Sequence, residues 1–392
     1  MTITSIRYQV LSSRPAPFGE MAASILSQCS HLKEGLIPLR LVFFANPAPT
    51  EAYRSEYQLL KEMIAGVFGN RMPAFSYLAQ PPVGEGMYAE LHLLEYRNEQ
   101  LCFGQSGGVP YVAVTTPFSK ELFAGGFMAD NPQLPVLEQA EQIFGAITQC
   151  LHNEAMPVAS IIRQWNYIEA ITATDASGKQ HYQLFNDARW AFYQTTEWSA
   201  GYPAATGIGT TCGGLVIDFE AALSLSSGVS MWPIDNKMQI SAHEYSQEVL
   251  RGEAFLEGCG KSTPKFERAK VWAGENSKRL YISGTASIRG EKSIGGLDVT
   301  EQTRITLENM EFLTQQITDC PTNHPADPLT HRAVDPPASP FTLLRIYLKQ
   351  PEFREMAEKV LESRYKSVPS IWITADVCRE ELLVEIEAMS LH

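Results

Sequence analysis

Near the C-terminus the run DVCREELLVEIE (376–387) sets a thiol, a guanidinium and several carboxyls within twelve residues. From Val384 to Glu387 apolar and acidic side chains alternate, the pattern of a β-strand. In an ordinary surface strand both glutamates point to water. A buried Glu385 would behave differently: lost hydration penalises its charged form, raises its pKa and lets it donate a proton near neutrality, which is general-acid chemistry. Cys378 precedes Glu385 by seven residues. On an unbroken strand the two face opposite sides, so a turn at Arg379-Glu380-Glu381 is needed to give them a common pocket. Otherwise a lone cysteine reads as a small buried hydrophobe.

Other chemistries find little support. The seven cysteines and eight histidines are scattered, with no C-x-x-C, H-x-x-x-H or H-E-x-x-H spacing. Reduced thiols, no metal site and no cofactor are expected. The glycine-rich pieces GQSGGVP (104–110) and GIGTTCGG (207–214) lack phosphate-loop spacing and read as turns. Lys and Arg number 31 against 44 Asp and Glu, a net charge of −13, and no basic run exists to track phosphates, which argues against a nucleic-acid partner. An acidic average still permits a local arginine pocket for a small anion. No stretch approaches the ~20 apolar residues of a membrane span, and the start MTITSIRYQVLSSRPAPFGE lacks a signal peptide's basic and apolar regions. The expectation is a soluble cytoplasmic protein without a membrane partner.

The elements that must position these groups follow from length and pattern. At 392 residues the chain predicts two domains, or two plus an extension. An internal repeat supports two. Its first copy runs VPYVAVTTPF (109–118), ELFAGGFMAD (121–130), an amphipathic LEQAEQIFGAITQCL (137–151), MPVASIIRQWNYIEAI (156–171), a helical YQLFNDARWAFYQ (182–194) and YPAATGIGTTCGGLVIDFEAAL (202–223). The second runs RLYISGTASI (279–288), VTEQTRITLENMEFLTQQI (299–317), FTLLRIYLKQ (341–350), EFREMAEKVLESRY (352–365) and PSIWITADVCREELLVEIEAM (369–389). Both read strand, helix, strand, helix, strand, an α+β arrangement with helices covering one face of a mixed sheet. The predicted divisions are an N-terminal extension at 1–75, with a strand at 39–47 and a helix at 51–70, a first module at 76–225, and a linker plus second module at 226–392. The proline-rich break at 318–340 reads as a surface loop. Trp165, Trp190, Trp198 and Trp232 are expected to be core anchors rather than a stacking platform.

Both copies resemble the YjgF/RidA family, through SGTAS (283–287), QTRITLEN (302–309), LLRIYLK (343–349) and VEIEA (384–388). The resemblance implies tandem YjgF/RidA-like, chorismate-mutase-like β-α-β modules. From about Trp165 to Glu387 the chain resembles the chorismatases, through QWNYI (164–168), YQLFNDAR (182–189), PAATGIG (203–209), FERA (266–269), LYISGTASI (280–288) and the terminal DVCREELLVEIE. That family cleaves the enol ether of chorismate to pyruvate and a ring acid, and its proton-donating acid falls on Glu385.

Cys378 stands where the cysteine form is associated with 3-hydroxybenzoate, whereas Ala286 looks more like the form that only hydrolyses, giving a dihydroxycyclohexadiene carboxylate. 4-Hydroxybenzoate is a further alternative. Chorismate's two carboxylates call for arginines, and the shared segments offer Arg189, Arg268, Arg345 and Arg379, of which two are expected to bind. Tyr245 and Gln239 resemble ring-contacting positions. The segment after Tyr245 and the run Gly290-Glu291-Lys292 both depart from the family pattern. The site is expected between the two copies, in a monomer or small homo-oligomer. Competing readings are a RidA-like imine deaminase and a non-catalytic ligand-binding or scaffold protein.

Overall fold

The computed structural model describes residues 3–47, 49–250, 260–294, 296–318, 339–365 and 367–392. The 318–340 break therefore lies largely, and the segment after Tyr245 partly, outside the described residues. The first unit comprises β1 (Ile6–Ser12), α1 (Phe18–Ser30), β2 (Leu36–Ala45), α2 (Thr50–Phe68), β3 (Ala74–Ala79) and β4 (Tyr88–Glu95), with strand order β1-β4-β2-β3. The second opens with β5 (Gln100–Ser106) and β6 (Val109–Thr115). It continues through β7 (Ser119–Met128), α3 (Val136–Asn153), β8 (Ile161–Glu169), α4 (His181–Tyr193), β9 (Ala204–Thr210) and β10 (Leu215–Ser224). Its order is β5-β6-β7-β10-β8-β9.

The third opens with β11 (Ser230–Ile234), β12 (Ala269–Ala273), β13 (Lys278–Thr285) and the short hairpin of β14 (Ile288–Arg289) and β15 (Lys292–Ser293). It ends with α5 (Val299–Gln315), β16 (Leu343–Leu348), α6 (Arg354–Arg364), β17 (Ser370–Thr374) and β18 (Val384–Leu391), in the order β11-β12-β13-β18-β16-β17. In each unit one strand pair is parallel, β2 with β3, β8 with β9 and β16 with β17, and the others are antiparallel. The α+β class with mixed sheets is therefore the observed one.

Three expectations change. β3 and β4 belong to the first sheet, beyond the boundary at 75. The extension is a third copy of the repeat, lacking only the leading strand pair, since β1-β4-β2-β3 has the connectivity of β7-β10-β8-β9 and β13-β18-β16-β17. Finally, the closing segment of the second copy, read as one strand, is two: β17 and β18 are separated by a loop, with only Val377 of that loop in an isolated bridge.

Alternation on the last strand of each unit explains the layering. Ala89, Leu91 and Leu93 on β4 pack beneath α1 and α2; Ile217, Phe219 and Ala221 on β10 pack beneath α3 and α4. Val384, Ile386 and Ala388 on β18 do the same beneath α5 and α6. The opposite faces of all three sheets meet in one central core that includes Phe44, Trp165 and Tyr347. Onto this inner face the last strands project polar groups. His92, Glu220 and Glu387 sit directly across from Arg40, Arg163 and Arg345, and two residues earlier come Glu90, Asp218 and Glu385. All nine are buried.

The arginines stack around the Trp165 ring, with Arg40 at 4.0 Å, Arg163 at 4.6 Å and Arg345 at 5.8 Å from its centroid. Each unit touches the next in the same sense. Ser76 of β3 donates to Asp218 at 2.7 Å, Gly284 N–H beside β9 donates to Thr206 at 3.0 Å, and Thr374 N–H at the end of β17 donates to the Pro81 carbonyl at 2.7 Å.

Candidate active site

Between the second and third units lies a pocket of roughly 830 Å³, open to solvent on one side. From the second unit, α4 contributes Tyr182, Asn186 and Arg189, at helical spacing on one face, and β9 contributes Ala205 and Gly207. From the third come Gly284 on β13, Ala286 and Ile288 after it, Phe266 and Arg268 before β12, and Glu385 on β18. The loop before β18 adds Cys378, Arg379 and Leu382. Because that loop interrupts the strand, Cys378 and Glu385 reach the same pocket despite their odd separation.

Glu385 is 5% exposed and has no salt bridge among the described residues. Burial, reinforced by the neighbouring Glu387 charge, pushes its pKa up to about 8, against the opposing influence of Arg163 and Arg268. Its carboxyl approaches the Gly284 backbone so closely that a β-carbon there would collide with Oε1. Only glycine admits the acid at this point. Burial also pushes the Cys378 thiol up to about 12, with Glu385 adding to the effect, so it stands as a neutral thiol.

Two buried arginines face the same space without a carboxylate partner among the described residues. Arg189, 1% exposed, donates to Asn186 Oδ1 at 2.6 Å and leaves Nε without a partner. Arg268, 3% exposed, donates to Tyr245 Oη at 2.5 Å and to the Ile240 carbonyl at 2.9 Å, and its Nε is likewise free. Buried guanidinium N–H groups left unpaired are costly, and an anionic ligand would complete them. Arg379 is held at the mouth by the Glu291 carbonyl and Ser293 Oγ, both at 3.0 Å. Glu291 in turn takes hydrogen bonds from Ser246 N–H and Oγ, both at 2.7 Å, so the departures after Tyr245 and at Gly290-Glu291-Lys292 are tied to one another at the rim.

Seven of the nine residues singled out from sequence line the pocket: Glu385, Cys378, Arg189, Arg268, Arg379, Tyr245 and Ala286. Two do not. Arg345 is on the central axis, paired with Glu90 at 2.9 Å and Glu387 at 3.2 Å, because its strand position faces the inner core. Gln239 is buried outside the pocket, accepting from Asn236 Nδ2 at 3.1 Å. Sequence reading missed Tyr182 and Asn186, although Arg189 and helical periodicity point to them seven and three residues earlier; Phe266 opens the quoted motif FERA without being singled out. It also missed Thr206, whose importance lies in a cross-unit contact. Among the described residues no group of three or more His, Cys, Asp or Glu is placed to hold a metal, and the five described cysteines are free.

Comparisons with known proteins agree with this architecture. Residues 95–221 match the family model described as chorismatase FkbO/Hyg5-like, N-terminal. A chorismatase from Streptomyces hygroscopicus is 31% identical over 234 residues, covering 58% of this chain and 61% of that protein. A 3-hydroxybenzoate synthase from Streptomyces hygroscopicus is 27% identical over 244 residues, covering 60% and 65%. The chain thus spans about three fifths of the length of these curated relatives. A chorismatase crystal structure shares the fold with a TM-score of 0.68 at 20% identity, over 99% of this chain and 98% of that one. Its sequence is thus similar to chorismatases through the middle unit, and its fold matches that of a chorismatase along the whole length.

Proposed function

We propose that the protein cleaves chorismate to pyruvate and 3-hydroxybenzoate, with Glu385 as the general acid. The observation that carries this reading is a buried carboxylic acid with a pKa near 8, facing two buried arginines that lack carboxylate partners. At neutral pH most of the Glu385 population holds its proton and can deliver it to the methylene carbon of the enol ether. The resulting oxocarbenium-like centre weakens the bond from the ring carbon to the ether oxygen; that bond breaks, the ether oxygen leaves as the keto oxygen of pyruvate, the neighbouring ring hydroxyl oxygen moves onto the vacated carbon, and the ring sheds a proton as it becomes aromatic. Arg189 and Arg268 would fix the two carboxylates, and Tyr182, Phe266, Ile288 and Leu382 give the ring a mostly apolar seat. The two products contain every atom of the substrate, so the net reaction consumes no oxidant.

The product choice is supported by the neutral Cys378 thiol beside Glu385 and by the name of the 3-hydroxybenzoate synthase relative. Ala286, which also lines the pocket, favours the hydrolytic alternative, a dihydroxycyclohexadiene acid. The test is incubation of purified protein with chorismate, with ring products resolved by chromatography beside a Glu385→Gln control. Pyruvate and 3-hydroxybenzoate from the wild type alone are expected. A dihydroxycyclohexadiene product overturns the product assignment, and absence of chorismate consumption overturns the activity.

A further inference from the structure

The three units repeat a pairing rule that one of them breaks. Arg40 of the first unit reaches into the second and binds Asp218 at 2.5 Å. Arg345 of the third reaches the first and grips Glu90 through Nε and Nη2, at 2.9 to 3.1 Å. By the same relation Arg163 of the second unit should bind Glu385 of the third, since Arg40, Arg163 and Arg345, like Asp218, Glu385 and Glu90, occupy matching register positions. It does not. Arg163 Nη2 instead binds Glu387 Oε2 at 2.8 Å and Thr206 Oγ1 at 2.7 Å.

Glu387 is itself held from three sides. Trp165 Nε1 donates to it at 2.8 Å, Thr206 Oγ1 donates to it, and Arg345 Nη1 lies 3.2 Å away. It is 4% exposed. In the first unit the matching residue is His92, which cannot draw an arginine away from Glu90. In the second it is Glu220, which lies 3.8 Å from Arg40 while Asp218 takes the close contact.

The geometry points to Glu387 as a positioning residue that diverts Arg163 from Glu385 and so leaves Glu385 free to hold a proton. Thr206 is the brace that keeps this diversion in place. The inference rests on the general-acid reading above and deepens it by naming what sets that acid's protonation.

The groups facing Glu385 can be ordered by their effect. Glu387 on its own strand favours the protonated form, while Arg163 on β8 and Arg268 before β12 oppose it. Tyr182 on α4 and Cys378 in the preceding loop also interact with Glu385, and both have their pKa raised by burial. Tyr347 faces it directly across from β16, and Arg189 and Arg379 share the pocket. Of the three nearer charges, Arg163 is the cation whose engagement the other two units predict and this one withholds.

The test reads Glu385 directly, so that it does not depend on turnover. Protein labelled with carboxyl-¹³C glutamate is titrated by NMR, the Glu385 resonance being identified by its loss in Glu385→Gln. In Glu387→Gln the midpoint is expected to fall by at least one pH unit, through loss of the Glu387 charge and through Arg163 turning to Glu385. In Arg163→Met it should rise. Thr206→Val keeps every charge and should lower the midpoint by a smaller amount, which preserves the test if Glu387→Gln does not fold. An unchanged midpoint in Glu387→Gln, or in Thr206→Val where only that variant folds, overturns the inference. Chorismate turnover is assayed separately: a wild type that titrates as expected but consumes no chorismate defeats the proposed activity and leaves the diversion standing.

Discussion

Glu90 and Glu385 occupy the same place in two copies of one fold unit, both on the inner face of a last strand and both almost wholly buried. Burial acts on Glu90 as it does on Glu385, but the Arg345 guanidinium and His92 beside it hold its carboxyl well below the usual range. At Glu385 burial outweighs the opposing influence of Arg163 and Arg268, and the pKa moves the other way. Asp218, the third member, accepts from Arg40, from Ser76 at 2.7 Å and from the Gly126 N–H at 2.7 Å. Two acids are thus cross-links between units, and the third, without such a partner among the described residues, is the proposed general acid. Burial alone does not distinguish the two; the position of one guanidinium does.

The sharpest way to break this comparison is Glu385→Gln, expected to lower chorismate turnover by roughly a thousandfold, in the range lost when a general acid is removed. The same change should stabilise the fold at alkaline pH. A carboxyl whose folded pKa of about 8 exceeds its unfolded value takes part in a fold most stable below the unfolded pKa, and stability is lost as pH rises toward 8. Glutamine removes that loss, so a gain on the order of 5 kcal/mol above pH ~8 is expected in denaturant titration, vanishing below pH ~4. Asp218→Asn should do the reverse. It strands Arg40 and is expected to cost about 3 kcal/mol of stability in urea melts. Turnover per folded molecule should stay near the wild-type value.

Removing the unpaired guanidiniums comes next. Arg189→Met and Arg268→Met are each expected to lower kcat/KM by about 10- to 100-fold, the equivalent of one charged hydrogen-bonding partner, mainly through KM. A KM unchanged in both variants would remove them from substrate binding.

The finest comparison uses two glycines. A β-carbon at Gly284 collides with Glu385, whereas one at Gly125 meets Ser76 Oγ at 2.6 Å and Asp218 Oδ1 at 2.9 Å. Gly284→Ala should therefore reduce turnover about tenfold with little effect on stability. Gly125→Ala should cost about 1 kcal/mol of stability with turnover retained.

Much of this organisation could be read from the residues, and the failures have definable causes. The second and third units kept enough shared pattern for the repeat to show, and α3 displayed Ile143, Phe144, Ile147 and Leu151 at helical spacing, all buried as that spacing requires. The first unit escaped because β4 carries Glu90 and His92 at alternate positions. Such a strand looks half-solvated, yet its polar side faces the central ion pairs rather than water. Arg345 was misplaced for a related reason. A sequence marks an arginine as fit for a carboxylate but does not say whether that carboxylate arrives with substrate or stands on a neighbouring strand. Arg189 and Arg268 differ from it only in what surrounds them, which register and cross-unit packing decide. Thr206 gave no local signal at all, since beyond Arg163 its side-chain partners lie in another unit at Glu387 and Gly284.

The joining of the three units into one polypeptide carries a consequence for how such a molecule can change. In a ring of three separate identical chains, every substitution is made three times over, and an acid released from its arginine at one interface is released at all of them. Here each position mutates alone. Asp218 and Glu90 can remain rivets while Glu385 is released from that duty, and the cost of keeping a protonated acid inside the protein is borne once instead of three times.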